Sequence, residues 1–159
     1  MVSKVLFSSK KEDWGTPDWL FKYLNRVFFF TLDAAASDEN HLCKKYFTKE
    51  NNSLKQSWKG EIVFLNPPYS RNMGEWIKKG SENDSVILVP SRTDTKWFHE
   101  YCCTNRCYRL FIKGRLKFKG AGNSAPFPSL LLFFNDMKKS FEQVEQDVER
   151  DINYNLKRE

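Results

Sequence analysis

An α/β fold, with helices covering a mostly parallel sheet, is what this 159-residue chain predicts. Three observations carry that reading. Apolar runs of strand length recur along the chain, at 28–32, 61–65, 85–90 and 129–134. Between them lie segments whose apolar residues return at helical spacing. No internal repeat or low-complexity linker divides a chain whose length suits one domain with a real core.

The elements follow in order. The first ten residues read as a loose arm. Trp14, Gly15, Thr16, Pro17 and Asp18 then read as a helix start, with Thr16 as N-cap, Pro17 at the first helical position and Asp18 against the helix dipole. Trp19, Leu20, Tyr23, Leu24 and Val27 continue that helix. Residues 28–32 read as a buried strand ending at Asp33, and 34–40 as a loop or helix start. A short strand at 45–48 and a helical turn at 54–58 precede a second buried strand, 61–65, which ends at Asn66. A helix at 74–80, a strand at 85–90, a helix at 95–102 and strands at 109–112, 116–118 and 129–134 complete the alternation. Phe141, Val144, Val148 and Ile152 recur among charged residues as one amphipathic helix. The predicted organisation is therefore a domain over 1–135 with a C-terminal helix, 136–159, packed on it; a dimer or partner helix is the alternative.

Composition narrows the function. Hydrophobic residues make up 40% and aromatics 16%, with 14 Phe, and no apolar run is long enough to span a bilayer. The N-terminus lacks the apolar stretch of a signal peptide, so a cytoplasmic protein with no membrane partner is expected. The formal charge is +6, from 26 Lys and Arg against 20 Asp and Glu. Such a balance favours a polyanionic partner but also fits a basic protein with none. Cys43, Cys102, Cys103 and Cys107 read as reduced thiols, and with His99 they match no paired zinc-ligand spacing, so no metal is expected.

The motif that carries chemistry is Asn66, Pro67, Pro68, Tyr69, directly after the apolar run 62–65. In an open α/β sheet ligands bind beyond the carboxyl ends of the strands. The residue types suit a planar exocyclic amine, whose lone pair is delocalised and poorly nucleophilic. Two acceptors on its two N–H groups draw the nitrogen toward tetrahedral geometry; the Asn66 side-chain oxygen and the Pro67 carbonyl can supply them. Consecutive prolines hold that carbonyl rigidly, and Tyr69 offers a flat face for a flipped base. The bland alternative is a turn in which prolines merely end a strand.

At these residues the chain resembles the phage-type DNA N6-adenine methyltransferase family. The resemblance extends in order from Trp14–Gly15–Thr16–Pro17 through Leu32–Asp33–Ala34–Ala35–Ala36–Ser37, Tyr46–Phe47–Thr48, Leu54 with Trp58, and the Asn66 motif with Ser70. It continues in Arg92–Thr93–Asp94–Thr95 with Trp97–Phe98, Gly114–Arg115–Leu116–Lys117–Phe118 and Ala125–Pro126–Phe127–Pro128–Ser129, covering about residues 14 to 134. It implies a compact, shortened Rossmann-like fold with helices on both sheet faces, and methyl transfer from S-adenosylmethionine to a flipped adenine in double-stranded DNA. The catalytic set implied is Asn66, Pro67, Pro68 and Tyr69. The implied cofactor pocket comprises Trp14, Thr16, Pro17, Asp33, Ala34, Ala35, Ser37, Glu50 and Asn66, with Asp33 near the cofactor's amino group and Glu50 near its ribose.

The chain departs from the wider methyltransferase pattern in having alanines where a glycine-rich turn is expected. Only 33 positions separate Asp33 from Asn66, too few for two strand–helix units, and Asn51 and Asn52 stand where acidic residues are common. For DNA the expected contacts are Ser70, Arg71, Arg92, Lys96, Arg115, Lys117 and Lys119. Residues 113–119 alternate basic with Gly, Leu and Phe, which puts charge on one face of a strand or hairpin. A phage or prophage protein acting as a monomer or weak homodimer is implied. The Asn66 motif alone fits cytosine N4, an RNA base or a protein glutamine equally well. A non-catalytic DNA-binding module that has lost the cofactor is the reading from another class.

Overall fold

The computed structural model describes residues 13–156; the arm read at 1–10 and the side chains of Val148 and Ile152 lie outside the described residues. Helix α1 (Asp18–Phe28) buries Leu20, Phe21, Leu24 and Phe28, the stripe that its helical periodicity requires. It starts one residue later than the sequence suggests. Pro17, with ψ 130°, holds the cap position, and its carbonyl accepts the Leu20 and Phe21 N–H groups at 3.1 Å. Thr16 makes no capping bond; its hydroxyl is committed elsewhere.

The larger correction lies at 28–32, read as a strand. Phe28 is instead the last residue of α1, and Phe29 turns the chain with a left-handed backbone, φ 54° and ψ 59°. That conformation costs a non-glycine residue about 1–2 kcal/mol. It lets Phe28 and Phe30 both enter the core, their rings 5.7 Å apart, while Phe29 stays 72% exposed. Each buried ring contributes about 1.5–3 kcal/mol, so the exchange is favourable. Asn25 secures the turn by accepting the Phe29 N–H on its carbonyl at 3.0 Å and the Phe30 N–H on Oδ1 at 2.9 Å. Only Leu32–Asp33 remains as strand β1.

The stretch to the next core strand is as short as the spacing implied. It holds β2 (Lys45–Tyr46) and one 3-10 turn, Ser53–Lys55, before β3 (Val63–Leu65). Helix α2 (Met73–Ser81), β4 (Ser85–Pro90), a π-helical turn at Phe98–Cys102, β5 (Cys107–Phe111) and β6 (Ser129–Phe134) follow. A 3-10 turn, Asn135–Ser140, leads into α3 (Phe141–Leu156). Residues 116–118 join no ladder. Their alternation is real, with Leu116 and Phe118 buried, yet their anchors are an Ala125 N–H to the Leu116 carbonyl at 2.7 Å and a single bridge from Lys119 to Gly15.

The six strands form one sheet in the order β2-β1-β3-β4-β6-β5. β2, β1, β3 and β4 are mutually parallel, and β6 runs antiparallel to both β4 and β5. Five strands therefore share one direction and β6 opposes them: a mixed, mostly parallel sheet. The register aligns Phe64, Val86 and Phe133 on one face. There Phe64 meets Phe21 of α1 at 5.2 Å, and Phe133 meets Phe28 at 5.7 Å and Phe141 of α3 at 5.4 Å. The Tyr23 hydroxyl donates to Asp147 at 3.0 Å, and Val144 is fully buried, so α3 is fastened to the same face as α1. Ile87 and Ser85 face the other side, where Ser85 donates to the Gly80 carbonyl of α2 at 2.8 Å. Helices thus cover both faces, and the shortened α/β fold matches the expectation from sequence.

Candidate active site

From β1 the chain moves outward to β2, then returns across to β3 on the other side of β1. The loops after β1 and β3 diverge at such a switch point and leave a crevice beyond the strand ends. A cavity of about 690 Å³ lies there, between the end of β1 (Asp33, with Ala34 beyond it) and the residues after β3 (Asn66 and Pro67). Pockets for small molecules and cofactors run to about 300–1,000 Å³, so the volume suits a ligand of nucleotide size.

The Asn66 side chain in it is fixed by two hydrogen bonds. Its Nδ2 donates to the Trp14 carbonyl at 2.5 Å and to the Thr16 hydroxyl at 3.0 Å. A backbone carbonyl can only accept, so the atom against Trp14 must be the amide nitrogen. The oxygen is thereby identified as well. Oδ1 is buried and has no hydrogen-bond partner among the described residues. An acceptor left so costs about 1–3 kcal/mol, a cost that a binding site recovers when a donor arrives. Pro67 and Pro68 line the same cavity, and the Pro67 carbonyl accepts no hydrogen bond from any described residue. The Ser70 N–H closes the turn on the Pro68 carbonyl at 2.9 Å.

The strap that orients Asn66 is itself held from behind. Lys119 N–H donates to the Gly15 carbonyl at 2.8 Å. A Cβ at position 15 would lie 3.2 Å from the Lys119 Cβ, which favours glycine there. The Trp14 ring makes edge-to-face contacts with Phe118 and Phe127 at 5.3 and 5.1 Å. Thr16→Val keeps the side-chain shape but removes one of the two acceptors for Nδ2. The expected result is a kcat reduced about tenfold with affinity for the cavity's ligand little changed, because one misaligned hydrogen bond is worth about 0.5–1.5 kcal/mol; Thr16→Ser restores the rate. Steady-state kinetics check this, and a raised KM with unchanged kcat contradicts it.

Asp33, at the end of β1, is 3% exposed. Burial pushes its carboxyl pKa up, against hydrogen bonds from the Leu42 and Ala35 N–H groups and the charge of His41, which pull it down. The Leu42 N–H reaches Oδ2 at 3.0 Å, and the Phe47 N–H reaches the Asp33 carbonyl at 3.1 Å, so the loop after β1 is wound around this residue. A buried carboxylate that forms no ion pair among the described residues is suited to a cationic ligand group.

Of the cofactor residues expected, Trp14, Thr16, Asp33, Ala34, Ala35, Ser37, Glu50 and Asn66 all line this cavity. Pro17 does not; it serves the start of α1. Glu50 is exposed at the rim, its carboxyl pKa lowered by a hydrogen bond with Thr48. The two asparagines that break the acidic pattern have structural reasons. Asn51 Oδ1 accepts the Thr48 N–H at 3.0 Å, and Asn52 takes a left-handed backbone, φ 50°, that asparagine tolerates well. Asn52 and Leu54, which the resemblance marks without giving them a contact, also line the cavity, as does Trp76, which no motif marks. Trp76 belongs to a helix with no motif, and only the fold brings it to the crevice.

Tyr69 departs from its expected role as an open stacking platform. It is 6% exposed, with its ring edge-to-face with Phe127 at 5.6 Å and Phe118 at 6.3 Å and its hydroxyl 3.4 Å from the Leu88 carbonyl. Burial raises the hydroxyl pKa, with the Arg92 charge opposing it. Stacking on Tyr69 would require its buried ring to be uncovered. Among the residues expected to meet DNA, Ser70 and Lys119 line the cavity, and Lys119 Nζ pairs with Asp18 at 3.0 Å. Arg71, Arg92, Lys96 and Arg115 are exposed and Lys117 half-buried. No described contact brings Lys96, Arg115 or Lys117 to the cavity. Among the described residues no group of three or more His, Cys, Asp or Glu is gathered to hold a metal ion, and no helix is long and apolar enough to cross a membrane.

Comparison with known proteins gives the same direction. A family model described as DNA N-6-adenine-methyltransferase (Dam) matches residues 3–155. A protein of Escherichia phage T1 named DNA N-6-adenine-methyltransferase is 43% identical over 94 residues, which is 55% of this chain and 39% of that protein. One of the same name from Haemophilus phage HP1 is 34% identical over 111 residues, 65% of this chain and 64% of the relative. The chain spans less than two thirds of the length of either relative.

Proposed function

The chain belongs to the DNA N-6-adenine-methyltransferase (Dam) family, and from that premise we propose that it transfers a methyl group from S-adenosylmethionine to N6 of an adenine in double-stranded DNA. The observation that carries the reading is the Asn66 amide, pinned through Nδ2 and left with a buried, unpartnered Oδ1. That oxygen and the Pro67 carbonyl accept the two N–H groups of the incoming amine and hold its lone pair out of conjugation with the ring. Both acceptors are rigid before substrate arrives, so the chain contributes orientation and preorganised electrostatics and forms no covalent bond to the base.

The residues present fit the cofactor. The buried Asp33 carboxylate complements a ligand ammonium, the small side chains of Ala34 and Ala35 admit a close backbone approach, and the cavity has the volume. When bound, S-adenosylmethionine supplies an electrophilic methyl group on a sulfonium sulfur. On the DNA side, Arg71, Arg92, Lys96, Arg115, Lys117 and Lys119 supply phosphate contacts, which position a duplex without reading its sequence. The +6 charge favours that partner over a protein substrate.

The experiment is incubation with tritiated S-adenosylmethionine and unmethylated duplex DNA, with calorimetry of S-adenosylhomocysteine in parallel. Acid-precipitable label and saturable binding are expected. Failure of both contradicts the enzyme reading and favours a binding module that has lost its cofactor.

A further inference from the structure

Among the described residues, four buried side-chain polar atoms lack a hydrogen-bond partner: Asn66 Oδ1, Trp76 Nε1, Ser91 Oγ and Ser129 Oγ. Two of them, an acceptor on Asn66 and a donor on Trp76, belong to residues that line the same cavity. The acceptor has its role above; the donor has none. Resting on the methyl-donor reading, we propose that Trp76 is a ligand-reading residue whose indole N–H donates to an acceptor on the nucleoside half of S-adenosylmethionine.

The contrast with its neighbour is informative. Trp58 and Trp76 lie with ring centroids 6.4 Å apart and planes at 30°. Trp58, 1% exposed, satisfies its indole by donating to Ser53 Oγ at 3.2 Å, as a tryptophan used for packing does. Trp76 has no such partner among the described residues, and the 30° tilt does not aim its N–H at the Trp58 ring face. A phenylalanine would pack there without leaving a donor unpaired.

The wall is also held on rigid elements, as a reading residue requires. Trp76 sits within α2, and Lys79, three residues on, donates to the Leu54 carbonyl at 2.8 Å and the Gln56 carbonyl at 2.5 Å. Its ammonium lies 5.1 Å from the centre of the Trp58 ring. The Ser53–Lys55 turn is thereby fastened to α2, which brings Leu54 and Trp76 together as an apolar wall of the cavity. The opposite character belongs to the loop after β1, with the Asp33 carboxylate. A flat apolar wall bearing one donor suits a heterocycle, which stacks on apolar surface and offers ring acceptors; the amino-acid half of the ligand belongs with Asp33.

The test is calorimetry of the whole chain and its W76F variant with two probes, S-adenosylhomocysteine and adenosine. One hydrogen bond of ordinary strength predicts a Kd raised about 2–10-fold for both probes. Because W76F removes an unpaired donor, its ligand-free Tm should be unchanged or higher, which a merely structural tryptophan would not give. Equal affinities, a weakening confined to S-adenosylhomocysteine, or a lowered Tm each overturn the assignment. Should W76F fail to fold, indole-15N spectra of the unaltered protein carry the test. One of its five tryptophan N–H resonances must move downfield on adding S-adenosylhomocysteine, and no movement in any of them overturns the proposal. An unaltered protein that binds neither probe contradicts the methyl-donor reading itself, a distinguishable failure.

Discussion

Asn66→Ala lowers methyl transfer by about 100–1,000-fold, the loss typical of removing one preorganised group from a charge-stabilising site, while S-adenosylhomocysteine binds with nearly unchanged affinity. The separation follows from what each amide atom does. Oδ1 has no partner among the described residues, so its removal withdraws nothing from the resting structure. Its interaction appears only when an amine N–H is present, and an interaction of that kind affects kcat more than binding. Loss of Nδ2 leaves the Trp14 carbonyl and the Thr16 hydroxyl without that donor, so a modest fall in Tm is expected as well. Single-turnover rates beside calorimetry separate the two effects.

Asp33→Asn weakens S-adenosylhomocysteine binding about 30-fold or more at neutral pH, since truncating one partner of a buried charge pair costs about 2–5 kcal/mol. The pH dependence has a definite sign. The Asp33 pKa in the folded chain is raised above 3.8, chiefly by burial. Acidification through that raised value protonates the carboxylate, so the affinity of the unaltered protein falls as pH drops, and the Asp33→Asn variant loses this part of the profile. Without ligand the sign is opposite. Across the interval from 3.8 up to the raised folded pKa, the folded chain binds more protons than the unfolded chain, so stability declines as pH rises. The variant lacks that decline, and thermal melts across the acid range check it.

How far the site was legible in the sequence depends on how local its causes are. The strands Ser85–Pro90 and Ser129–Phe134 have the bounds that their apolar runs suggest. Both are wholly buried central strands, where an uninterrupted apolar run suffices. The run 28–32 looked the same and contributes only Leu32 to a strand, because α1 runs on to Phe28 and Asn25 fixes a turn that sends Phe29 outward. A short apolar run cannot by itself distinguish a strand from a helix end. Thr16 was singled out for a cap and belongs instead to Asn66, 50 residues away. Residues that act through chain-local geometry, such as Pro67 and Pro68, were readable. Trp76 was not, because its place in the cavity depends on the packing of α2 against the Ser53–Lys55 turn. The basic alternation at 113–119 correctly separated buried Leu116 and Phe118 from exposed Arg115 and Lys119, although no ladder forms there.

The most direct test is mass-spectrometric analysis of nucleosides from DNA treated with the unaltered protein and with Asn66→Ala, each matched for S-adenosylhomocysteine binding. N6-methyldeoxyadenosine is expected from the first and at most traces from the second. Methyl groups on cytosine, or an Asn66→Ala protein that methylates adenine at the unaltered rate, would contradict it.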